Sequence, residues 1–376
     1  MQVVYSIAAK FAGGGIGTTS YNAVRGISRH GYLKKLFCTS QAPNEIDPSL
    51  VVETHAALFD RFPFISQASK YRLKDYWHDK IVARQLSECD IFHVWNGHGL
   101  KCLQKAKKQG AVTVVERASS HINTYEKLLV EEYRKWGVTT PVVSPAVKKR
   151  LLEEYELADY ITVPSEFAYQ SMVANGVPKK KLKLLQFGTD LQKFQPNPKK
   201  RDNKTFDVLF VGQVGFRKGV LYLLQAWQKM HASNLQGSKL HILGGIESVA
   251  EEALKPYRSD KSINFVGYTD PLPYYQKADV FVFPSIEEGS ALVTYEAMAC
   301  GLPQITTFES GSLVEDGKQG FIVPSADVAA LVEKLQELYE NPKLREKMSK
   351  SALAKVRDYS WDDYGDRLVE WYEKIF

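Results

Sequence analysis

Cysteine is scarce: Cys38, Cys89, Cys102 and Cys300 are the only four in 376 residues. They share no paired spacing, and no histidine stands near them at a metal-ligand interval. That excludes a disulfide framework, a zinc module and a redox dithiol, and leaves reduced, mostly buried thiols as the expectation. No apolar run approaches the roughly 20 residues of a membrane span, and no basic stretch precedes an apolar core at the N-terminus. The expected location is the cytoplasm, with the inner face of a membrane as a peripheral partner. No Asp-x-Asp pair sits at a strand end, since Asp362 and Asp363 belong to a terminal helical segment; neither an essential metal nor a cofactor is expected. Gly-x-Gly-x-x-Gly followed by an acidic residue about 20 positions on is also missing, which disfavours dinucleotide binding.

What is present is ordinary soluble material, 44% hydrophobic and 24% charged, long enough for two separate cores. The net charge of +6 is uneven. Residues 1–200 carry 29 Lys and Arg against 18 Asp and Glu, whereas residues 201–376 carry 20 against 25. A basic first half suits an anionic partner: a membrane surface, a phospholipid-linked acceptor or nucleic acid. No recognition motif supports nucleic acid. Residues 55–77 mix Phe59, Phe62, Phe64, Tyr71, Tyr76 and Trp77 with Arg61, Lys70, Arg72 and Lys74. This is the composition of a surface lying on anionic lipid, or of an amphipathic helix pair packed on a sheet.

The most informative stretch is residues 284–303. The apolar run at 279–283 predicts a buried parallel strand, Pro284 and Ser285 end it, and a helix follows from about Leu292. Gly289, Ser290 and Ala291 are small enough for a ligand to approach the backbone closely. The amides around Ala291 and Leu292 then lie at a helix N-terminus, where unpaired N–H groups and the dipole attract a phosphate. Glu288 lies on the loop and Glu296 roughly one turn into the helix. Carboxylates repel a phosphate and more naturally accept hydrogen bonds from hydroxyls. A ligand with both hydroxyls and a diphosphate is a nucleotide sugar.

This segment resembles the signature of retaining glycosyltransferases of the GT-B fold, family four. The matches are Pro284, Ser285, Glu288, Glu296, Ala297, Gly301 and Pro303; the family's usual Phe-Gly-Leu is replaced here by Ser290, Ala291 and Leu292. The resemblance implies two Rossmann-like, doubly wound parallel-sheet domains of the α/β class facing each other across a cleft. The expected division is an acceptor-binding domain over 1–195, a donor-binding domain over 196–357 and a helix over 358–376 crossing back to the first domain.

The rest of the chain fits that plan. An opening strand at 3–9 is followed by the glycine-rich turn that includes Gly14, Gly15 and Gly17, which in the family lines the cleft near the donor diphosphate. Strands are predicted at 33–38, 91–94, 112–116 and 161–163, the last closing the first sheet. In the family a histidine after a comparable first-domain strand lies near the transferred sugar, and His121 is the residue for that place; His93 and His98 follow another strand and could serve the acceptor. Glu116, Arg117, Ser119 and Ser120 also stand at a strand end, where ligands of open α/β sheets sit. Residues 177–204 are turn-rich and polar, and are expected to link the domains; Gly188, Asp190 and Phe194 match family positions there.

The second domain opens with a strand at 206–211, the loop containing Gly212 and Gln213, and then Arg217, Lys218 and Gly219 before a helix. Lys218 and Gly219 match the family's Lys-Gly. Gln213 stands where the family has Arg, and Arg217 is expected to supply the missing guanidinium. Gly244 and Tyr268 follow two further strands, and by resemblance Tyr268 contacts the base through its backbone.

The implied activity is transfer of a sugar from a UDP- or GDP-linked donor to a hydroxyl of a glycan or lipid-linked acceptor, with retention and without metal. Lys218, Arg217 and the amides of the helix start stabilise the leaving diphosphate, Glu288 holds hydroxyls of the transferred sugar, and Glu296 holds the ribose. A sugar-nucleotide epimerase, or a binding protein of the same fold, is the alternative.

Overall fold

The computed structural model describes residues 1–64, 66–139, 141–197, 205–231 and 237–376. Two all-parallel sheets account for the alternation of apolar runs and helical segments. The first contains β1 (Val3–Phe11), β2 (Leu33–Gln41), β3 (Val51–Glu53), β4 (Ile91–Trp95), β5 (Val112–Glu116), β6 (Tyr160–Val163) and β7 (Leu182–Leu184), in the order β3-β2-β1-β4-β5-β6-β7. The second contains β8 (Asp207–Val211), β9 (Lys239–Leu243), β10 (Ile263–Gly267), β11 (Val280–Phe283), β12 (Gln304–Thr307) and β13 (Gly320–Val323), in the order β10-β9-β8-β11-β12-β13. Helices cover both faces of such sheets, so central strands are buried at every position; β4 and β11 are.

Each sheet reverses its winding at its first strand. β1 lies between β2 and β4, and β8 between β9 and β11. Crossovers on either side of such a strand run to opposite faces and open a crevice at the carboxyl ends. The glycine-rich turn follows β1, residues 212–219 follow β8 and residues 284–291 follow β11. All three therefore reach the two crevices.

The structure differs from the expectations at three strands. β6 does not close the first sheet: Leu182–Leu184, within the stretch expected to link the domains, pairs with it in register from Ile161↔Leu182 to Val163↔Leu184. Three residues preceded by Lys179–Lys181 carry no apolar run, so this strand exists through its pairing. β3 and β12 also went unpredicted; β12 reads Gln-Ile-Thr-Thr yet is fully buried. Residues 198–204 of the expected linker lie outside the described residues.

The terminal helix Trp361–Ile375 packs on the first-domain helix Ile16–Arg29. Gly26 and Gly365 meet backbone to backbone, where a Cβ on either would collide. Arg25 donates to Asp362 at 2.6 Å, and Arg29 pairs with Asp362 and Asp366. Ser360 caps this helix in a reciprocal box with Asp363.

Candidate active site

The site begins with two loops locked together. Gly219 has φ 65°, and a Cβ there would collide with the Pro284 carbonyl, so only glycine lets the short turn Phe216–Lys218 lie against the loop after β11. The Arg217 carbonyl accepts from the Ile286 amide at 2.9 Å and the Ser285 hydroxyl at 3.1 Å. This brings Lys218 onto the Glu288 carboxylate as a buried ion pair and sets Arg217 Nη1 3.3 Å from Glu288 Oε2. Burial, then the Arg217 guanidinium, pushes the Lys218 ammonium well below its usual value, and the Glu287 and Glu247 carboxylates only partly oppose this.

Glu287, which the sequence did not single out, joins this cluster to the first domain. It is fully buried, and its Oε1 accepts from the Ser119 hydroxyl at 2.6 Å, the Ser120 hydroxyl at 2.8 Å and the Ser120 amide at 3.1 Å. Arg217 Nη1 lies 3.3 Å from its other oxygen. Burial alone would raise its carboxyl, but Arg217 and the serine bonds outweigh this and hold it below its usual value. Beside it the Ser165 hydroxyl donates to the Gly289 carbonyl, and a Cβ on Gly289 would collide with the Ala118 carbonyl. Ser119 and Ser120 thus bind across the domains and their hydroxyls are committed.

The helix Leu292–Ala299 begins between these loops. The Ala291 amide donates to the Ser310 carbonyl at 3.1 Å, and the Ser290 hydroxyl is engaged by Tyr295 and the Gly311 carbonyl, each at 2.9 Å. Neither is free for a phosphate. The amides of Leu292 and Val293, the next two, have no acceptor among the described residues. These are the donors left at the helix start.

Two cavities meet at this helix. One, about 540 Å³, is lined by Gly212, Gln213, Gly244, Tyr268, Val293 and Glu296. The other, about 870 Å³, runs into the interdomain cleft past Gly15, Gly188, Asp190, Phe194, Leu292 and Glu296. Glu296 faces both. Its Oε2 accepts from the Tyr275 hydroxyl at 2.9 Å, and burial raises its carboxyl. Gly15 (φ 54°) caps the helix Ile16–Arg29. Gly17 does not line either cavity; a Cβ there would strike the Lys10 carbonyl, so this glycine serves the tight turn.

His121 caps the helix Ile122–Lys135, its Nδ1 accepting from the Asn123 amide at 3.2 Å and its own amide donating to the Ser171 hydroxyl at 2.8 Å. Accepting at Nδ1 leaves the proton of the neutral ring on Nε2. Burial, then Arg117 and Lys148, pushes its pKa down to about 4. The other two histidines are held by neighbouring groups of the protein. His93 is fully buried, hydrogen-bonded to Tyr372 of the terminal helix and 3.2 Å from Glu116. Glu116 also accepts from Tyr5 at 2.8 Å and, although it is the last residue of β5, its side chain is turned into the core. His98 accepts from the Ala8 amide at 3.0 Å, and burial pushes it down to about 3. Among the described residues no group of three His, Cys, Asp or Glu could hold a metal ion.

Two Rossmann-like domains with a ligand crevice between them define a GT-B protein. Residues 205–341, within the second domain, match the family model described as glycosyl transferases group 1. The capsular polysaccharide biosynthesis glycosyltransferase CapM of Staphylococcus aureus is 28% identical over 217 residues, covering 53% of this chain and 57% of that protein. The chain spans about half the length of the curated relatives it matches. In three dimensions, sucrose-phosphate synthase of Thermosynechococcus elongatus aligns over 100% of this chain and 99% of its own with a TM-score of 0.76 at 20% identity. HepE of Anabaena, solved in complex with UDP, aligns over 100% of both chains with a TM-score of 0.70 at 14% identity.

Proposed function

We propose that the chain is a retaining glycosyltransferase that moves a sugar from a nucleoside diphosphate sugar to a hydroxyl of a glycan or lipid-linked acceptor in polysaccharide, lipopolysaccharide or glycolipid assembly. One observation carries this reading: Glu296 lines both cavities in the first turns of the helix whose Leu292 and Val293 amides have no acceptor among the described residues. The smaller cavity, with Tyr268 at its rim, suits the base. Glu296 takes the ribose hydroxyls. The amides, with Lys218 and Arg217 on the loops beside them, take the diphosphate.

The chemistry follows from charge. As the bond to the anomeric carbon breaks, negative charge grows on the leaving diphosphate, and preorganised cations and amides lower the barrier. A diphosphate drawn to Lys218 competes with Glu288 for that ammonium and releases the Glu288 carboxylate to hydroxyls of the transferred sugar. The Nε2–H of neutral His121 donates to another hydroxyl. A departing phosphate oxygen takes the acceptor proton while the acceptor attacks the same face. No metal is required in this scheme, because side-chain cations do its work. CapM and HepE favour glycan synthesis and a uridine donor, respectively.

The test is a thermal-shift panel of UDP, GDP, ADP and CMP, each with and without Mg²⁺, followed by anomeric analysis of product formed on a glycan acceptor. One nucleoside diphosphate should raise the melting temperature without Mg²⁺, by the few kcal/mol that ligand well above its dissociation constant supplies. No shift from any of the four, or an inverted product, would sink the reading.

A further inference from the structure

Thirteen large hydrophobic side chains are exposed among the described residues, and seven of them fall between residues 58 and 77. Phe64 is 99% exposed, and Leu58, Phe62 and Tyr71 are each 52% exposed. They belong to the turn Ala56–Arg61, the loop after it and the helix Gln67–Gln85. Single exposed apolar residues need no explanation, but a contiguous group marks an interaction surface.

The helix divides its charges between two faces. With about 100° per residue, Asp75, His78, Asp79 and Val82 share the inward side. His78 is buried between the hydroxyls of Ser6 and Thr54, at 2.9 and 3.0 Å. Asp79 accepts the amides of Lys101 and Cys102 at 3.0 and 2.9 Å and pairs with Arg150 at 3.1 Å. Arg72, Leu73, Tyr76, Trp77, Lys80 and Arg84 all point outward and are exposed. From residue 61 to 87 the only acids are Asp75 and Asp79, both on the inward face. The outward face of the helix is therefore aromatic and cationic with no carboxylate, and the one exposed acid on the adjoining turn, Asp60, is paired with Lys74 at 3.3 Å. Lys101 adds a further cation 4.5 Å from the Tyr76 ring.

We propose that this face docks the protein on an anionic lipid surface. Rings with an apolar body and a polar tip settle at the headgroup level, and Lys and Arg beside them hold anionic headgroups. Phe62 and Phe64 enter furthest; Arg72, Lys80 and Arg84 bind the headgroups. The turn Ala56–Arg61 follows the carboxyl end of β3 and packs on β1 and β2. It lies at the sheet edge that also carries Gly15 and His121, so a bilayer on this face would present a lipid-linked hydroxyl to the acceptor side of the cleft. That last step rests on the proposed transferase reading; the docking itself does not.

The full chain is to be sedimented with vesicles of phosphatidylcholine alone or mixed with phosphatidylglycerol, at low and high salt. Binding is expected only with the anionic lipid and should weaken as salt screens it. Arg72→Glu with Lys80→Glu should lower the partition coefficient about tenfold or more. Phe64→Ser, at a side chain that packs against nothing, should lower it severalfold without disturbing the fold. Both variants should keep the nucleotide-induced thermal shift. The proposal is overturned if neither vesicle binds, if neutral vesicles bind equally, if the variants bind as well as the parent, or if Phe64→Ser instead dissolves a homodimer. Nucleic acid displacing the protein from every vesicle would also overturn it. A nucleotide shift without vesicle binding removes the docking surface and leaves the transferase; vesicle binding without any nucleotide shift does the reverse.

Discussion

The carboxylate of Glu287, on the second domain, accepts the hydroxyl and the amide of Ser120, on the first, at 2.8 and 3.1 Å. A buried charge with this many donors is costly to orphan from either side. Glu287→Ala removes the acceptor from Ser119, Ser120 and Arg217 together and should cost roughly 3–5 kcal/mol. The expected readouts are a lower urea midpoint and a larger radius of gyration, and an unchanged midpoint would argue against a clasp. The same group gives a pH dependence. Its folded value is depressed, so its contribution is complete above the unfolded carboxyl value of about 4.3 and is lost as pH falls below it. Glu287→Gln should flatten that acid limb.

Lys218→Ala frees Glu288 from its ion pair and, in the proposed reaction, takes away a cation beside the leaving group. Turnover should fall roughly 10²-fold or more. Donor binding should suffer less, since the amides of Leu292 and Val293 remain. Rapid-quench kinetics separate the two, and equal losses in affinity and turnover would point to plain binding.

Glu296→Ala should weaken nucleoside diphosphate binding by roughly 10- to 100-fold, the value of hydrogen bonds to a charged acceptor. Titration calorimetry reads it directly. Tyr275→Phe is the companion: the Glu296 carboxylate loses the Tyr275 hydroxyl, and the variant should bind with intermediate affinity.

His121 is held down to about 4 by burial, Arg117 and Lys148. Its contribution to stability is complete above the unfolded imidazole value of about 6.5, declines as pH falls below that and is gone below about 4. The ring is neutral at physiological pH, so kcat/KM should show no histidine limb between about pH 6 and 8. A limb there that disappears in His121→Ala would contradict the assignment.

Much of this architecture was readable because central parallel strands are buried on both faces and so stand out as apolar runs bounded by glycine and proline. β4 and β11 are of this kind. β7 and β12 are not, since Leu-Lys-Leu among lysines and Gln-Ile-Thr-Thr hold their places by pairing and burial that no local pattern encodes. Glu288 and Glu296 could be read from their spacing around a helix start. Glu287 could not, because its partners lie 167 and 168 positions away and its neighbour Glu288 carries the same charge. His93 misled for the same reason: a histidine near a strand end looks like a ligand-facing group until Tyr372, 279 positions on, is seen to hold it.

The two passages between the domains run side by side. Thr189 and Ser360 form a parallel bridge, the Thr189 amide donates to the Tyr359 carbonyl at 2.9 Å, and Gly188 lies too close to Ser360 to carry a side chain. Two stitched crossings act as the spine of a book. The covers can swing about that line but resist sliding or twisting past each other, so whatever enters between Gly15 and Leu292 meets the same alignment of loops each time the pages close.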